Sequence, residues 1–207
     1  MISRRRIIGA FGVALAGLMF ITPPASAMET TSEFVKNLGD RAIELLTVTD
    51  ISKTERETRF RQLLRKGFDV RRIGRFVLGR YGRRASTEVV TEYHKLFEDL
   101  IVVTYASRFA QYTGQTFKIK RATKPTKRGD SIVMTEIVTS DGSPPIRVDW
   151  QVNNAKGFNK IVDVRVEGVS MSVTQREEFR TVISQNNGDV GALLVALRKK
   201  TSSLNSK

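Results

Sequence analysis

The apolar residues of this 207-residue chain change their period twice, and that constrains the fold more than any single motif. Up to about Tyr112 they recur at helical spacing. From Phe117 to Val166 they alternate with polar residues, and then helical spacing returns. Phe34, Leu38, Ala42 and Leu45 mark a helix from about Ser32 to Thr47. Ser52 and Glu55 form a capping box for a second helix, which runs to Lys66 and stops at Gly67 in an expected left-handed cap. Asp69 caps a short third helix that Gly79 ends, and Ser86 caps a fourth, from about Thr87 to Tyr112, with Glu88 near its positive end. The fourth carries Tyr93, Leu96, Phe97, Leu100, Ile101, Val103, Tyr105 and Phe109, which leave little of its girth polar. Such a helix must be buried on several sides, as the central core helix or as a wall shared by protein and an apolar ligand.

Phe117 and Ile119 open a strand, and Ile132 to Val138 gives a second. Ile146, Val148, Trp150 and Val152 alternate with Arg147, Asp149 and Gln151. Val162, Val164 and Val166 alternate with Asp163, Arg165 and Glu167. Connections as short as "SDGSPP" and "NNAKG" favour an antiparallel meander with one buried and one wet face. A capping box from Thr174 to Glu177 starts a helix ending near Gly188, Asp189 caps the last one, and the polar residues 201–207 are expected to be a loose tail. The chain has no cysteine, so packing alone must hold the fold. The expected class is α+β, a curved antiparallel sheet wrapped by N- and C-terminal helices.

The start of the chain addresses it to a compartment. Arg4, Arg5 and Arg6 precede a mostly apolar run from Ile7 to Ile21, and "PPASA" ends in a small-residue cleavage pattern before Met28. Residues 1–27 therefore read as a signal peptide, and "SRRRIIG" fits a Tat as well as a Sec signal. A single domain spanning 28–207 and located in the periplasm is the expectation, since that length suffices for one core. The formal charge of +14 falls to +11 when the three leader arginines leave. So basic a chain suggests nucleic acid as a partner, but export removes that partner and leaves anionic lipid head groups.

A search for chemistry finds little. His94 is the single histidine and reads as a partly exposed structural residue. No His, Asp and Glu cluster has metal-ligand spacing, and the Gly74 to Gly79 pair lacks the Lys-Ser/Thr of a phosphate loop. Asp149 and Asp163 lie on the polar phase of their strands and read as solvated acids. No catalytic residue, metal or cofactor is assigned. The conspicuous feature is basic: from Arg56 to Arg84 eleven Lys or Arg residues face two acids, Glu57 and Asp69, with large apolar residues threaded between them. An apolar interior with cations at its mouth suits an anionic amphiphile, whose chain gains about 0.8 kcal/mol per buried methylene.

"FDVRRIGRFVLGRY", "LFEDLIVVTYASRFAQYTGQTFKI", "PPIRVDW" and "VDVRVEGVSM" followed by "REEF" resemble the toluene-tolerance family of periplasmic, MlaC-like lipid-binding proteins, in order and across nearly the whole mature chain. The resemblance implies an NTF2-like cone around an apolar pocket, no enzymatic activity, and a monomer. It also implies phospholipid cargo shuttled between an inner-membrane ABC transporter with an MCE ring and an outer-membrane lipoprotein–porin complex, which supports outer-membrane lipid asymmetry. On this sequence the implied pocket lining is Val70, Ile73, Phe76, Val77 and Tyr81, faced by Phe97, Leu100, Ile101 and Tyr105. Val148, Trp150, Val164, Val166 and Met171 would supply the sheet side. Arg71, Arg72, Arg75, Arg80, Arg83 and Arg84 would meet head group or partner. Gly82 stands where many members carry a bulky aromatic, which would widen the mouth. A related branch is tied to hopanoids, so a polycyclic lipid is the alternative cargo. A cargo-free docking protein and an NTF2-like enzyme are the remaining alternatives.

Overall fold

A computed structural model describes residues 29–109, 114–139 and 141–205, so the signal-peptide reading and the last residues of the fourth helix lie outside the described residues. The order of elements is α1 Thr31–Leu46, α2 Lys53–Gly67, α3 Val70–Leu78, a 3₁₀ turn Gly79–Arg83, α4 Thr87–Phe109, β1 Thr116–Ala122, β2 Asp130–Val138, β3 Ile146–Asn153, β4 Lys160–Val166, β5 Val169–Ser170, α5 Met171–Gln185 and α6 Val190–Asn205. The class is α+β. The strands form one open antiparallel sheet in sequence order.

Most caps fall where the sequence carries short polar side chains. Ser52 accepts from the Glu55 amide at 3.1 Å and Asp69 from the Arg72 amide at 3.0 Å, while Gly79 ends α3 with φ of +58°. Three expectations about the helices need correction. Gly67 closes α2 without a left-handed conformation; it is glycine because a Cβ there would collide with the Leu38 side chain of α1. The helix read as capped by Thr174 begins four residues earlier. Ser170 is its N-cap, accepting from the Val173 amide at 3.1 Å, and the Thr174 hydroxyl is spent on the Ser170 carbonyl. Residues 201–205 are the last turn of α6 and no loose tail. Leu204 packs on the helical core, and Lys53 of α2 donates to the Leu204 and Asn205 carbonyls.

The strand register sorts side chains into two faces, because residues paired across strands point the same way. On one face lie four rows: Phe117, Ile137 and Ile146; Ile119, Thr135, Val148, Val166 and Val169; Ala122, Val133, Trp150 and Val164; then Ser131, Val152 and Ile161. The other face carries Lys118, Glu136, Arg147, Arg121, Asp149, Arg165 and Asp163. A bulge at Val162 corrects the alternation read for β4. It turns Ile161, not Val162, to the apolar face opposite Val152. Glu167 and Gly168, with φ of 50° and 82°, make the two-residue loop to β5, and two positive values mark a type I′ turn.

Two apolar clusters result. In the first, α3 and α4 meet α5 and α6: Tyr93 and Phe97 stack at 5.7 Å, and Phe179 meets both edge-on at 6.2 Å. This makes α4 the central core helix. In the second, Phe34, Val35 and Leu38 of α1 cover Val133, Val152 and Ile161. Phe68 and Asp69 join the layers, since the Asp69 amide donates to the Ile161 carbonyl at 3.0 Å along the outer edge of β4.

Candidate binding site

The apolar face of the sheet is more extensive than its covering. The second cluster accounts for one end of the face. Ile137, Ile146, Val148, Val166 and Val169 lie outside it, on four adjacent strands. They grade from a buried Val148 to an Ile146 that is 39% exposed and a Val169 that is 55% exposed, with Val173 of α5 also exposed. Within the face, the Trp150 indole donates to the Thr135 hydroxyl at 3.0 Å, which in turn donates to the Val148 carbonyl at 2.8 Å. The Ser131 hydroxyl is buried there without a partner. Leu46, Leu63, Leu64, Val102, Val103 and Ala106 on α1, α2 and α4 are buried yet belong to neither cluster. Apart from Val103, sequence reasoning missed these buried positions. On α4 the signal was present: Val102, Val103 and Ala106 follow a different stripe from Tyr93, Phe97 and Leu100.

The residues expected to line one pocket divide by layer. Val148, Trp150, Val164 and Val166 share the apolar face of the sheet. Met171 sits half-buried at the start of α5. Val70, Ile73, Val77, Tyr81, Phe97, Leu100 and Ile101 belong to the helical core against α5 and α6, because their stripe on α3 and α4 is the one those helices cover. Phe76 and Tyr105 point outward, 42% and 37% exposed, each with an arginine over its ring. Phe76 falls on the opposite side of α3 from Val77 and Gly74, which is why helical phase excludes it from the core.

The arginine run divides just as sharply. Arg56 donates to the Leu46 and Val48 carbonyls at 3.0 Å and Arg59 to the Leu45 carbonyl at 3.2 Å, so both tie down the end of α1. Arg61 binds Glu98 at 2.8 Å and Asp99 at 2.7 Å, and Arg65 also reaches Glu98 at 2.9 Å. Burial pushes the Glu98 carboxyl up, but the hydrogen bonds from Arg65 and Arg61 outweigh it and hold it below its ordinary range. Among the described residues Arg71, Arg75, Arg83 and Arg84 form no ion pair, Arg72 reaches Asp130 only at 3.8 Å, and Arg80 lies over Tyr81.

A cleft of about 800 Å³ opens between α2, α3 and α4. Its walls mix the charged Arg61, Arg65, Arg71, Lys95, Glu98 and Asp99 with the apolar Val70, Ala85 and Val90. Gly82 borders this cleft; a Cβ there would lie 3.0 Å from Leu78. His94 lines it too, half-buried under Gly74, its Nδ1 without a partner. Desolvation first, and then the charges of Arg71 and Arg75, lower the His94 pKa. The acids read as solvated are not alike. Asp163 is buried and accepts from the Ser170 hydroxyl at 2.7 Å and the Ser172 amide at 3.2 Å, which makes it part of the α5 cap. Asp149 meets Arg147 at 3.7 Å on the polar face, but its side chain is also largely buried and its Oδ1 has no hydrogen-bond partner, so neither acid is solvated as expected. Among the described residues no group of three or more His, Cys, Asp or Glu could hold a metal ion, and no helix is long and apolar enough to cross a membrane.

A family model described as "MlaC protein" matches residues 36–199, well over half of the chain. The chain belongs to the MlaC family. A phospholipid-binding protein from Ralstonia solanacearum, solved in complex with a phospholipid, is similar in structure, with a TM-score of 0.76 at 23% sequence identity. The match covers 84% of this chain and 98% of that one, which establishes the shared MlaC-like fold.

Proposed function

We propose that this chain is a periplasmic lipid carrier without enzymatic activity, which takes acyl chains against the apolar face of its sheet. The observation that carries the reading is the strip from Val148 to Ile146 and Val169, apolar over four strands and running out of the core to solvent, in a chain of the MlaC family. The phospholipid held by the Ralstonia protein supports the same cargo here. In this reading Val148, Trp150, Val164 and Val166 floor the site and Met171 edges it. The partners are an inner-membrane MCE/ABC transporter and an outer-membrane lipoprotein–porin complex, so that the shuttle supports lipid asymmetry.

Gently purified protein is expected to carry lipid, visible by native mass spectrometry. The mass of that lipid distinguishes a phospholipid from a hopanoid. Ile146→Arg and Val169→Arg sit at exposed positions and so leave the fold intact by circular dichroism; each is expected to lower lipid occupancy several-fold. Protein that is consistently lipid-free, and takes none up from vesicles, overturns the carrier reading. Unchanged occupancy in both variants overturns the site.

A further inference from the structure

The outer face of α3 carries charge that the fold leaves unneutralised. Helical phase puts Val70, Ile73, Gly74, Val77 and Leu78 inward and Arg71, Arg72, Arg75 and Phe76 outward. Arg176 of α5 joins them, its guanidinium 4.9 Å from the Phe76 ring. Among the described residues Arg71, Arg75 and Arg176 have no ion-pair partner, and Asp130, 3.8 Å from Arg72, is the one acid that reaches the group. This is unlike α2, where the arginines are spent on carbonyls and on Glu98 and Asp99.

We propose that this face of α3 is a landing surface for an anionic phospholipid bilayer. Clustered cations repel one another at a cost to the folded state, and a sheet of phosphates turns that repulsion into attraction, about fivefold in affinity per arginine at low salt. The exposed aromatic among them favours a lipid surface over an acidic protein. Phe76 can enter the boundary between head groups and acyl chains while the arginine stems reach back to the phosphates. The proposal rests on the carrier reading for the reason a bilayer is visited, but its test does not depend on cargo.

The full mature chain is sedimented with vesicles of phosphatidylcholine alone and of phosphatidylcholine with about 30% phosphatidylglycerol, at low and high salt. Binding is expected only to the anionic vesicles and should weaken with salt. Arg71→Ser with Arg75→Ser should weaken it about 25-fold, and Phe76→Ser should weaken it further. The equal charge change Lys124→Ser with Lys127→Ser, in an exposed loop, should have far less effect. Equal binding to neutral vesicles, or equal loss in the two double variants, overturns the proposal. So does capture by immobilised polyglutamate that is as tight as by anionic vesicles and insensitive to Phe76→Ser, which would assign the face to an acidic protein. Native mass spectra of the same samples separate the two readings. Lipid-free protein that still lands through Arg71 and Arg75 would sink the carrier reading alone, and lipid-loaded protein that ignores anionic vesicles would sink this one alone.

Discussion

On the apolar face of the sheet one side chain joins two hydrogen bonds. The Trp150 indole and the Val148 carbonyl both depend on the one hydroxyl of Thr135. Thr135→Val keeps the shape and leaves the indole donor unpaired, so it is expected to cost about 1–3 kcal/mol in urea unfolding, with Thr135→Ser recovering most of it. His94 gives the molecule a pH dependence of definite sign. Its folded pKa lies below the ordinary 6.5, through desolvation and then Arg71 and Arg75, while Lys95 and Glu98 stand nearby on its own helix. The unfolded chain therefore takes up the proton first as pH falls. Stability is full above about pH 6.5 and declines as pH drops from there toward the folded value. The melting temperature should fall between pH 7 and 5, and His94→Gln should flatten that slope; a wild-type slope in the variant would assign the effect elsewhere.

Elements are joined here by long basic side chains placed on helix ends. The Lys160 ammonium of β4 donates to the Arg65 and Lys66 carbonyls at 2.8 and 2.6 Å, closing the C-terminus of α2 where the chain turns into α3. Desolvation lowers its pKa. Lys160→Met is expected to cost about 1–2 kcal/mol by loosening that turn, with hydrogen exchange rising first at Phe68 and Asp69. Most elements were legible from local rules, because caps and periods are local: Ser52, Asp69 and Gly79 act where their chemistry places them. The departures have a common cause. Ser170 displaced Thr174 as a cap because β5 ends there and Asp163 already receives the Ser172 amide and the Ser170 hydroxyl. Gly67 serves a close approach to Leu38, and the bulge at Val162 follows from pairing with β3. Each is decided by a partner distant in sequence.

At the scale of the molecule the two layers bury separate clusters, and α6 is sealed to α2 by its own last turn. Truncation after Lys200 removes Leu204 from the helical core and leaves Lys53 without its carbonyls. A loss of about 1–2 kcal/mol is expected, read as a lower melting temperature. A truncated chain as stable as the whole would return those residues to a dispensable tail. Residue order alone carries the class, most of the succession of elements and, outside the bulge at Val162, the phase of the strands, and that phase is enough to put Val148, Trp150, Val164 and Val166 on one face. It also shows that much of the charge lies in one stretch. Which apolar stripe meets which layer is settled by packing in three dimensions. Packing sends Val77, Phe97 and Leu100 to α5 and α6, leaves Ile146 and Val169 uncovered, and turns Phe76 outward beneath Arg176. It likewise separates Arg56 to Arg65, bound to carbonyls and acids, from Arg71 and Arg75, which form no ion pair among the described residues. Periodicity reports that a side is buried. What buries it is a matter of contacts between segments far apart in the chain.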